Sequence, residues 1–575
     1  MGAFYLSNEL NEMTLPGVLK IFQKKNLNKF HELKAKSFTL LYFEKAMIKT
    51  DYHVYQKGED WIVGLGCFFY KNEFIEKALP LLLEDLVEEN EICANEIFGH
   101  FNLILFKQGK LKIITDKTGT YHSYQTNISK TNKMIFSNSL IAIKESLESV
   151  TPSKQECLEF IASDSSYGGK TICKEIDFIT FGSTLEISLN SKNKLTYRKY
   201  FKEKILKSTD HIKFIIENNT KLINQLKKVP IPITADLSGG LDTRLVCAHL
   251  NSIQIPYKIN TTTNQFYAEE AKLVLSMAKK LKLELDVIDT DVGFNHKNFD
   301  TYFEENYWGN ELCRDLFYAI STTNFYKQTS HIGSFFLGGY GGENYRDIKY
   351  RSKKIKNFGE LYTYKKHLSG VYGYNSLKVI LSESEYQEYL SNLESKFFNN
   401  GLLETRSINS EITKIEKDYY INRMMYWGGS EITRFNQYCY RLHPLLDYNS
   451  IYPLFDTPDS LKKNFKLQMQ IIEKLDPYLA SLPSDYGYNF IWKGDSWVSL
   501  IKKYRDLKKM FSRMRKKYQH STTDQNNFFN LVENKLQFFT KSQKQHISFI
   551  NLDPGLNIDT RTKGNVQSLN YFFKS

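Results

Sequence analysis

The chain has 575 residues, of which 41% are hydrophobic and 25% charged, and its formal net charge is +13. These proportions are typical of a globular protein, and the length exceeds what one hydrophobic core usually serves, so at least two domains are expected. No apolar run approaches the roughly 18 residues of a membrane span, and no secretory leader is evident, which predicts a cytoplasmic protein.

Short strands separated by small turns dominate the first part of the chain. Strand-like runs are predicted at 61–70, 101–106 and 111–116, and a strand followed by a helix is predicted around 136–139. Few prolines interrupt this part. The pattern favours stacked β-sheets.

From about Asp210 onward, strands alternate with helices, which predicts a parallel sheet with right-handed crossovers. The predicted elements are a strand at 231–237, a helix from 241, a strand at 255–263, a helix at 267–283, and strands at 284–289 and 334–337. Ligands of such sheets bind at the carboxyl ends of the strands. The loops 238–243, 260–263 and 338–343 are therefore expected to converge on one site.

The loop 238–243 has the composition of an anion site. Gly239 and Gly240 allow close approach of backbone N–H groups, Ser238 and Thr243 add hydroxyl donors, and the following helix contributes its positive end. The Lys of a Walker loop is missing. The alternative is an ordinary strand-to-helix turn in which Asp242 caps the helix.

This loop carries a family resemblance. Ser238-Gly-Gly-Leu-Asp-Thr243 resembles the pyrophosphate loop, Ser-Gly-Gly-x-Asp-Ser, of the asparagine-synthetase-like ATP pyrophosphatases, with Thr in place of the second Ser. The string 337–344 is similar to that family's Leu-Ser-Gly-Glu-Gly-x-Asp-Glu. At position 340 a Tyr replaces Glu, as in β-lactam synthetases.

The first part of the chain resembles the family's glutaminase domain, which has an N-terminal-nucleophile fold. The strings 99–106, 115–119 and 135–139 follow motifs of that domain in the same order. The resemblance implies an α+β domain of stacked sheets at 1–205 and an α/β doubly wound ATP-pyrophosphatase domain at 206–515. Residues 516–575 are left as a C-terminal extension of unknown role.

One departure from the family concerns glutamine hydrolysis. The family's glutaminase uses a Cys directly after the initiator Met, where thiol and α-amine supply nucleophile and base. Gly2 stands there, and the nearest cysteine is Cys67, so no glutaminase activity is expected. The seven cysteines have no metal-ligand spacing and are predicted to be reduced and mostly buried: Cys67, Cys93, Cys157, Cys173, Cys247, Cys313 and Cys439.

The resemblance implies an ATP-dependent ligase that activates a carboxylate as an acyl-adenylate, releases pyrophosphate, and transfers the acyl group to an amine or ammonia. The nucleotide contacts it implies are Leu237, Ser238, Gly239, Gly240, Asp242, Thr243, Thr261 and Gly339. Asp242 and Glu343 are the carboxylates offered to Mg²⁺, although each could instead cap a helix or form a turn. Tyr340 is expected to face the amine.

Two further expectations concern the region after 440. Tyr440 falls where the family has a Glu, so a Tyr–Glu dyad cannot be assigned from the sequence. Lys493 is the first Lys after the helix that ends in Leu-Pro483, and it is a candidate for stabilising the negative charge of the adenylation step.

A basic amphipathic helix is predicted at 501–517, which holds nine Lys or Arg residues and one Asp. It accounts for most of the net charge. The simplest interpretation is a solvated surface helix, and the alternative is a site for an acidic partner, tRNA or a membrane face.

Other functions remain open on the sequence. They are a non-catalytic ATP-binding or assembly homologue, a glutamine-hydrolysing asparagine synthase proper, and a tRNA-modifying pyrophosphatase. The leading hypothesis is the ligase, with ATP and Mg²⁺, acting on a small-molecule or peptide carboxylate. The amine would come from solution, from a substrate or from a partner, a homo-oligomer is possible, and nucleic acid is not expected.

Overall fold

The computed structural model describes residues 1–48, 53–86, 96–131, 133–189, 195–200, 210–263, 268–289, 299–312, 328–346, 375–399, 416–498, 500–501, 547 and 560–574. Within these ranges the chain forms two antiparallel sheets and one parallel sheet. This is a mixed α/β architecture, and the parallel sheet predicted for the second half is present.

The strands follow the predicted runs closely. In chain order they are β1 (Ala3–Ser7), β2 (Phe30–Ala35), β3 (Phe38–Phe43), β4 (Val54–Lys57), β5 (Asp60–Tyr70), β6 (Glu73–Phe74), β7 (Ile97–Lys107), β8 (Lys110–Thr115), β9 (Tyr124–Thr126), β10 (Ile135–Ser137), β11 (Ile176–Phe178), β12 (Ser183–Ile187), β13 (Leu195–Lys199), β14 (Ile233–Asp236), β15 (Lys258–Thr263), β16 (Leu285–Asp289), β17 (Phe335–Leu337) and β18 (Tyr440–Leu442).

The two antiparallel sheets stack face to face. One has the order β11-β9-β10-β1-β3-β2, and the other has the order β13-β12-β8-β7-β5-β4, with β6 paired to β5. Phe4 and Leu40 of the first sheet share one buried cluster with Val63, Ile104 and Ile113 of the second. Since alternate side chains of a strand point to the same face, this cluster fills the space between the sheets.

The parallel sheet has the order β16-β15-β14-β17-β18. Its central strand β14 pairs with β15 on one side and β17 on the other, with Ala235 opposite Ile259 and Leu337. The chain order therefore reverses beside β14, the position at which open sheets of this kind bind their ligands. Strand β18, which was not predicted from the sequence, pairs with β17 and forms one edge of the sheet.

Helices join and cover these sheets. The α-helices are Leu15–Lys24, Ile75–Asp85, Ile128–Thr131, Leu140–Glu145, Lys154–Ser163, His211–Asn224, Leu241–Ser252, Ala268–Leu281, Phe299–Asn310, Asn375–Ile380, Glu383–Asn399, Gly429–Tyr438, Tyr448–Phe455, Asp459–Lys462, Lys466–Leu475, Pro477–Ser481 and Thr560–Lys574. Short 3₁₀ turns lie at Gln225–Lys228, Gly342–Tyr345, Pro444–Leu446 and Lys463–Phe465, and a π-helix spans Tyr419–Gly428.

Backbone N–H groups donate hydrogen bonds between the two halves of the chain. Met47 N–H donates to the Tyr438 carbonyl at 2.9 Å, and His122 N–H donates to Thr433 Oγ1 at 2.7 Å. His443 N–H donates to His100 Nε2 at 3.1 Å. The antiparallel sheets therefore pack directly against the elements that follow the parallel strands.

Gly2 lies at the contact between the two halves of the chain. A Cβ atom added to Gly2 would lie 2.6 Å from the carbonyl oxygen of Gln437 and 3.2 Å from that of Glu44. Both are backbone atoms, so they cannot move aside as a flexible side chain would. A cysteine side chain at this position would therefore have to displace the helix Gly429–Tyr438.

We expect Gly2→Ala to lower the stability of the protein by about 1–3 kcal/mol, because the methyl group overpacks this contact. Thermal unfolding followed by circular dichroism measures the effect. Gly17→Ala is the matched control, since a Cβ at Gly17 meets no atom within 4 Å. Equal transition temperatures for the two variants would contradict the expectation.

The last helix packs on the first half of the chain. Asn565 Nδ2 donates to the carbonyl of Phe160 at 3.1 Å and to Asp164 Oδ1 at 2.7 Å, and Arg561 pairs with Asp164. These groups satisfy the C-terminal end of the helix Lys154–Ser163. Part of the predicted C-terminal extension is thus integrated into the fold.

Several predictions fall partly outside the described residues. The domain boundaries at 205 and 515 and the basic helix at 501–517, apart from Ile501, lie there and stay predictions. Five of the cysteines are described, and all five are free and buried: Cys67, Cys157, Cys173, Cys247 and Cys439. Cys93 and Cys313 lie outside. Among the described helices, none is long and apolar enough to cross a membrane.

Candidate functional site

The predicted anion loop connects β14 to the helix Leu241–Ser252. Its hydroxyls organise it, because Ser238 N–H donates to Thr243 Oγ1 at 3.0 Å and Gly240 N–H donates to Ser238 Oγ at 3.1 Å. The two hydroxyl oxygens lie 3.0 Å apart. Two hydroxyl groups and the helix N-terminus therefore meet at one point, as an oxyanion site requires.

Two acidic residues approach this loop, and neither was identified from the sequence. Gly239 N–H donates to Glu270 Oε1 at 2.9 Å, and the Gly239 carbonyl accepts from Asp485 N–H at 3.2 Å. Burial raises the pKa of Glu270, the hydrogen bond from Gly239 opposes this, and Asp485 adds to it. The Glu270 carboxylate occupies an amide donor that a phosphate would need.

Arg244 fixes the segment that carries Asp485. Its Nη1 donates to the Leu482 carbonyl at 3.1 Å, its Nη2 donates to the Pro483 carbonyl, and the guanidinium lies 4.7 Å from the Phe490 ring centroid. A Cβ at Gly239 would lie 2.7 Å from the Cβ of Asp485. A side chain at position 239 would therefore collide with the segment that carries Asp485, so this position requires glycine.

We expect Glu270→Gln to tighten the binding of pyrophosphate by roughly 3- to 10-fold, because a negative charge competing for the Gly239 amide is removed. Isothermal titration with inorganic pyrophosphate measures this. Glu269→Gln is the matched control, because Glu269 is exposed and pairs only with Lys272 among the described contacts. Equal affinities in both variants would show that Glu270 does not compete.

The loop after β17 packs against the start of the helix Leu241–Ser252. A Cβ at Gly339 would lie 2.9 Å from the backbone nitrogen of Thr243. Gly341 has φ +93°, and a Cβ there would lie 2.4 Å from the Leu445 carbonyl oxygen. Glycines at these positions let the two predicted loops touch. The structure thus brings 238–243 and 338–343 together.

Asp242 and Glu343 lie side by side where these loops meet. Asp242 Oδ2 accepts from Arg346 Nη2 at 3.0 Å, and its Oδ1 accepts from Gln468 Nε2 at 2.7 Å. Glu343 Oε2 accepts from Gly341 N–H at 3.2 Å. Burial, and after it the charge of Asp242, raises the pKa of Glu343.

The carboxylates of Asp242 and Glu343 suit Mg²⁺ only together with phosphate oxygens. In the described part of the chain no group of three or more acidic, His or Cys side chains could hold a metal ion. Each carboxylate oxygen has a further lone pair, so both residues could accept a cation beside their present donors. Burial and the neighbouring Asp242 disfavour the charged carboxylate of Glu343, and a bound cation would offset both effects.

Tyr340 contacts a carboxylate that the sequence did not indicate. Its hydroxyl donates to Glu431, 91 residues further along the chain. The Tyr340 ring stacks on His443 with centroids 4.6 Å apart and lies 6.1 Å from the Trp427 ring. A Tyr–Glu pair is therefore present, although the sequence comparison at position 440 did not find it.

The residue at position 440 has a different contact. Tyr440 is buried, and its hydroxyl lies 2.7 Å from His53 Nε2 in the first half of the chain. The carboxylate comes instead from Glu431 in the first turn of the helix Gly429–Tyr438. Glu431 thus lies on a helix, whereas the family resemblance had placed the Glu at position 440 on β18.

Arg441 and His443 pack against the start of the loop after β17, at Gly338. Arg441 forms a two-point ion pair with Asp236, the last residue of β14. Burial, and after it the charge of Arg441, lowers the pKa of His443, so its imidazole is neutral. Strand β18 thus fixes the carboxyl ends of β14 and β17 relative to each other.

The remaining predicted site residues are Leu237, Thr261 and Lys493. Leu237 is buried, and its N–H donates to the Asn260 carbonyl at 2.9 Å. Thr261 is buried on β15, opposite Val287. Lys493 is exposed with its ammonium 5.2 Å from the Trp497 ring centroid, and no contact in the described ranges joins it to the loops. Its catalytic role stays a prediction.

Comparison with known proteins gives little further information. No family model matches the chain, and the search of curated proteins gave no match. Among solved structures, it is similar to the glutamine phosphoribosylpyrophosphate amidotransferase from B. subtilis complexed with ADP and GMP, with 8% identity and a TM-score of 0.24. That match covers 50% of this chain and 65% of the amidotransferase.

Two other solved structures give matches of the same kind. NMN synthetase from Francisella tularensis has 11% identity and a TM-score of 0.20, over 38% of this chain and 95% of that one. The allosteric regulatory enzyme of purine biosynthesis has 8% identity and a TM-score of 0.21, and the match covers 50% of this chain and 74% of that enzyme. TM-scores this low carry no argument, so the assignment of function depends on the site itself.

Proposed function

We propose that the protein is an ATP-dependent ligase that forms a carbon–nitrogen bond by way of an acyl-adenylate. The observation that carries this proposal is that the 338–343 loop packs at Gly339 against the backbone of Thr243, whose hydroxyl pairs with that of Ser238, at the carboxyl edge of a parallel sheet. The first loop offers an oxyanion site, and the second places Tyr340 paired with Glu431 beyond it.

In the proposed first half-reaction, a substrate carboxylate attacks the α-phosphorus of ATP, and pyrophosphate leaves. Ser238, Gly239, Gly240 and Thr243 bind the departing phosphates with hydroxyl and amide donors. In this step the Gly239 N–H group donates to a phosphate oxygen instead of to the Glu270 carboxylate. Asp242 and Glu343 would hold Mg²⁺, which neutralises phosphate charge when bound.

In the proposed second half-reaction, an amine attacks the acyl carbon, the C–N bond forms, and AMP leaves with the electrons of the C–O bond. The amine must lose a proton. The Tyr340 oxygen accepts that proton while the Tyr340 hydroxyl proton passes to Glu431, so that the pair acts as a general base.

An exchange assay with radiolabelled pyrophosphate and ATP tests the first half-reaction against a panel of carboxylic acids. We expect exchange that depends on one class of acid. Thr243→Val should abolish this exchange because it removes a loop hydroxyl while keeping the volume of the side chain. ATP binding without exchange for any acid would contradict the proposal.

A second candidate function is a non-catalytic ATP-binding protein. It is favoured by the fact that polar groups of the loop are satisfied within the chain: the Gly239 N–H donates to Glu270, and the Asp242 carboxylate accepts from Arg346. The same assay separates the two functions, since only the ligase supports acid-dependent exchange.

A further inference from the structure

One face of the π-helix Tyr419–Gly428 forms a stripe beside the Tyr–Glu pair. Tyr419, Arg423 and Trp427 are half-buried, while all the residues between them are buried. Residues four apart lie on one face of such a helix, and π-helices occur frequently at functional sites. The stripe therefore presents two aromatic rings with a guanidinium between them.

Both ends of this stripe reach the candidate site. The Trp427 ring lies 6.1 Å from the Tyr340 ring. At the other end, burial and then the charge of Glu343 raise the pKa of Tyr419, while the charges of Arg423 and Arg346 lower it, so Tyr419 lies within electrostatic range of the carboxylate site. A molecule lying along the stripe would extend from the adenylation site to the pair that activates the amine.

Arg423 has no carboxylate partner within the described residues. Its Nη1 donates to the Ser163 carbonyl at 2.8 Å, and its guanidinium lies 4.5 Å from the Trp427 ring centroid. The Ser163 carbonyl orients the guanidinium but does not neutralise it. The half-buried guanidinium also forms a hydrogen bond with Tyr167, and its other N–H groups are suited to two-point recognition of a carboxylate.

We propose that Arg423 binds the carboxylate of an amino-acid-like acceptor, whose amine is thereby presented to Tyr340 and Glu431. Ammonia would gain nothing from a cation at this position, since it has no anionic group to bind. The rings of Tyr419 and Trp427 pack against the acceptor's side chain. The inference rests on the proposed ligase function and names the class of its second substrate.

The test compares acceptors with and without a carboxylate, using the acid that supports exchange. The probes are L-phenylalanine, L-phenylalaninamide and ammonium chloride, and the measurement is kcat/KM for amide formation. We expect the wild-type protein to prefer phenylalanine over its amide by roughly 10- to 100-fold, the range for hydrogen bonds to charged groups. Ammonium should be a poor acceptor.

Substitution of Arg423 provides the second arm. Arg423→Gln should remove the preference for the carboxylate while leaving pyrophosphate exchange unchanged, and Arg423→Lys should retain part of the preference because it keeps the charge. Lys279→Gln, an exposed change on another helix, is the control. Thermal unfolding checks that each variant is folded.

The outcomes separate the two proposals. Absence of exchange with every acid would overturn the ligase function itself. Exchange together with equal use of phenylalanine, its amide and ammonium by the wild-type protein would overturn the role of Arg423 alone. The wild-type comparison needs no substitution, so a variant that fails to fold does not affect it.

Discussion

Tyr340→Phe is expected to leave adenylation nearly unchanged and to slow amide formation by about 10²- to 10⁴-fold, the contribution typical of a general base. The ring would still stack on His443, so only the hydroxyl that donates to Glu431 is lost. Pyrophosphate exchange reports the first half-reaction, and product formation measured by mass spectrometry reports the second.

A matched control for this variant is Tyr440→Phe, which also removes one tyrosine hydroxyl. Tyr440 bonds to His53 away from the loops, so this change should affect stability alone, by about 1 kcal/mol. Glu431→Gln should slow amide formation as Tyr340→Phe does, and the double variant should be no slower, because the two residues act as a unit. Equal losses of exchange and product formation would place Tyr340 in the first half-reaction.

Asp242→Ala is expected both to abolish exchange and to destabilise the protein, on the order of 3 kcal/mol. The loss of stability arises because Arg346 and Gln468 would be left in the interior without the carboxylate they bind. Urea unfolding measures the second effect. An activity loss in this variant alone would therefore not identify a metal ligand.

Glu343→Gln separates the two effects. Because burial and Asp242 already disfavour the charged form of Glu343, its neutral replacement should cost little stability. Exchange should nevertheless fall, since a carboxylate available to Mg²⁺ is removed. If exchange persisted in Glu343→Gln at all Mg²⁺ concentrations, the metal would have to be bound elsewhere.

Local patterns predicted the elements that surround the site. The predicted strand before Ser238 corresponds to β14 at Ile233–Asp236, and the predicted helix begins at Leu241. Periodicity and glycine spacing suffice here because strand, turn and helix are contiguous in the chain. Strand β18 was missed because three residues, Tyr440–Leu442, carry too short a pattern.

The partners of the site residues could not be predicted in the same way. Glu431 lies 91 residues from Tyr340, and Gln468 lies 226 residues from Asp242. Neither has a local signature, because an acidic residue or an amide on a helix is ordinarily a solvated surface group. Their roles arise only when remote helices fold over the loops.

The sequence by itself therefore determined a glycine- and hydroxyl-containing turn between a strand and a helix, since the conformation of that string depends on neighbouring residues. Only the tertiary structure decided that Glu270 occupies its amide, that Arg346 holds Asp242, and that Tyr340 has a carboxylate partner. These contacts depend on the packing of distant segments against one another, which no local pattern of residues encodes.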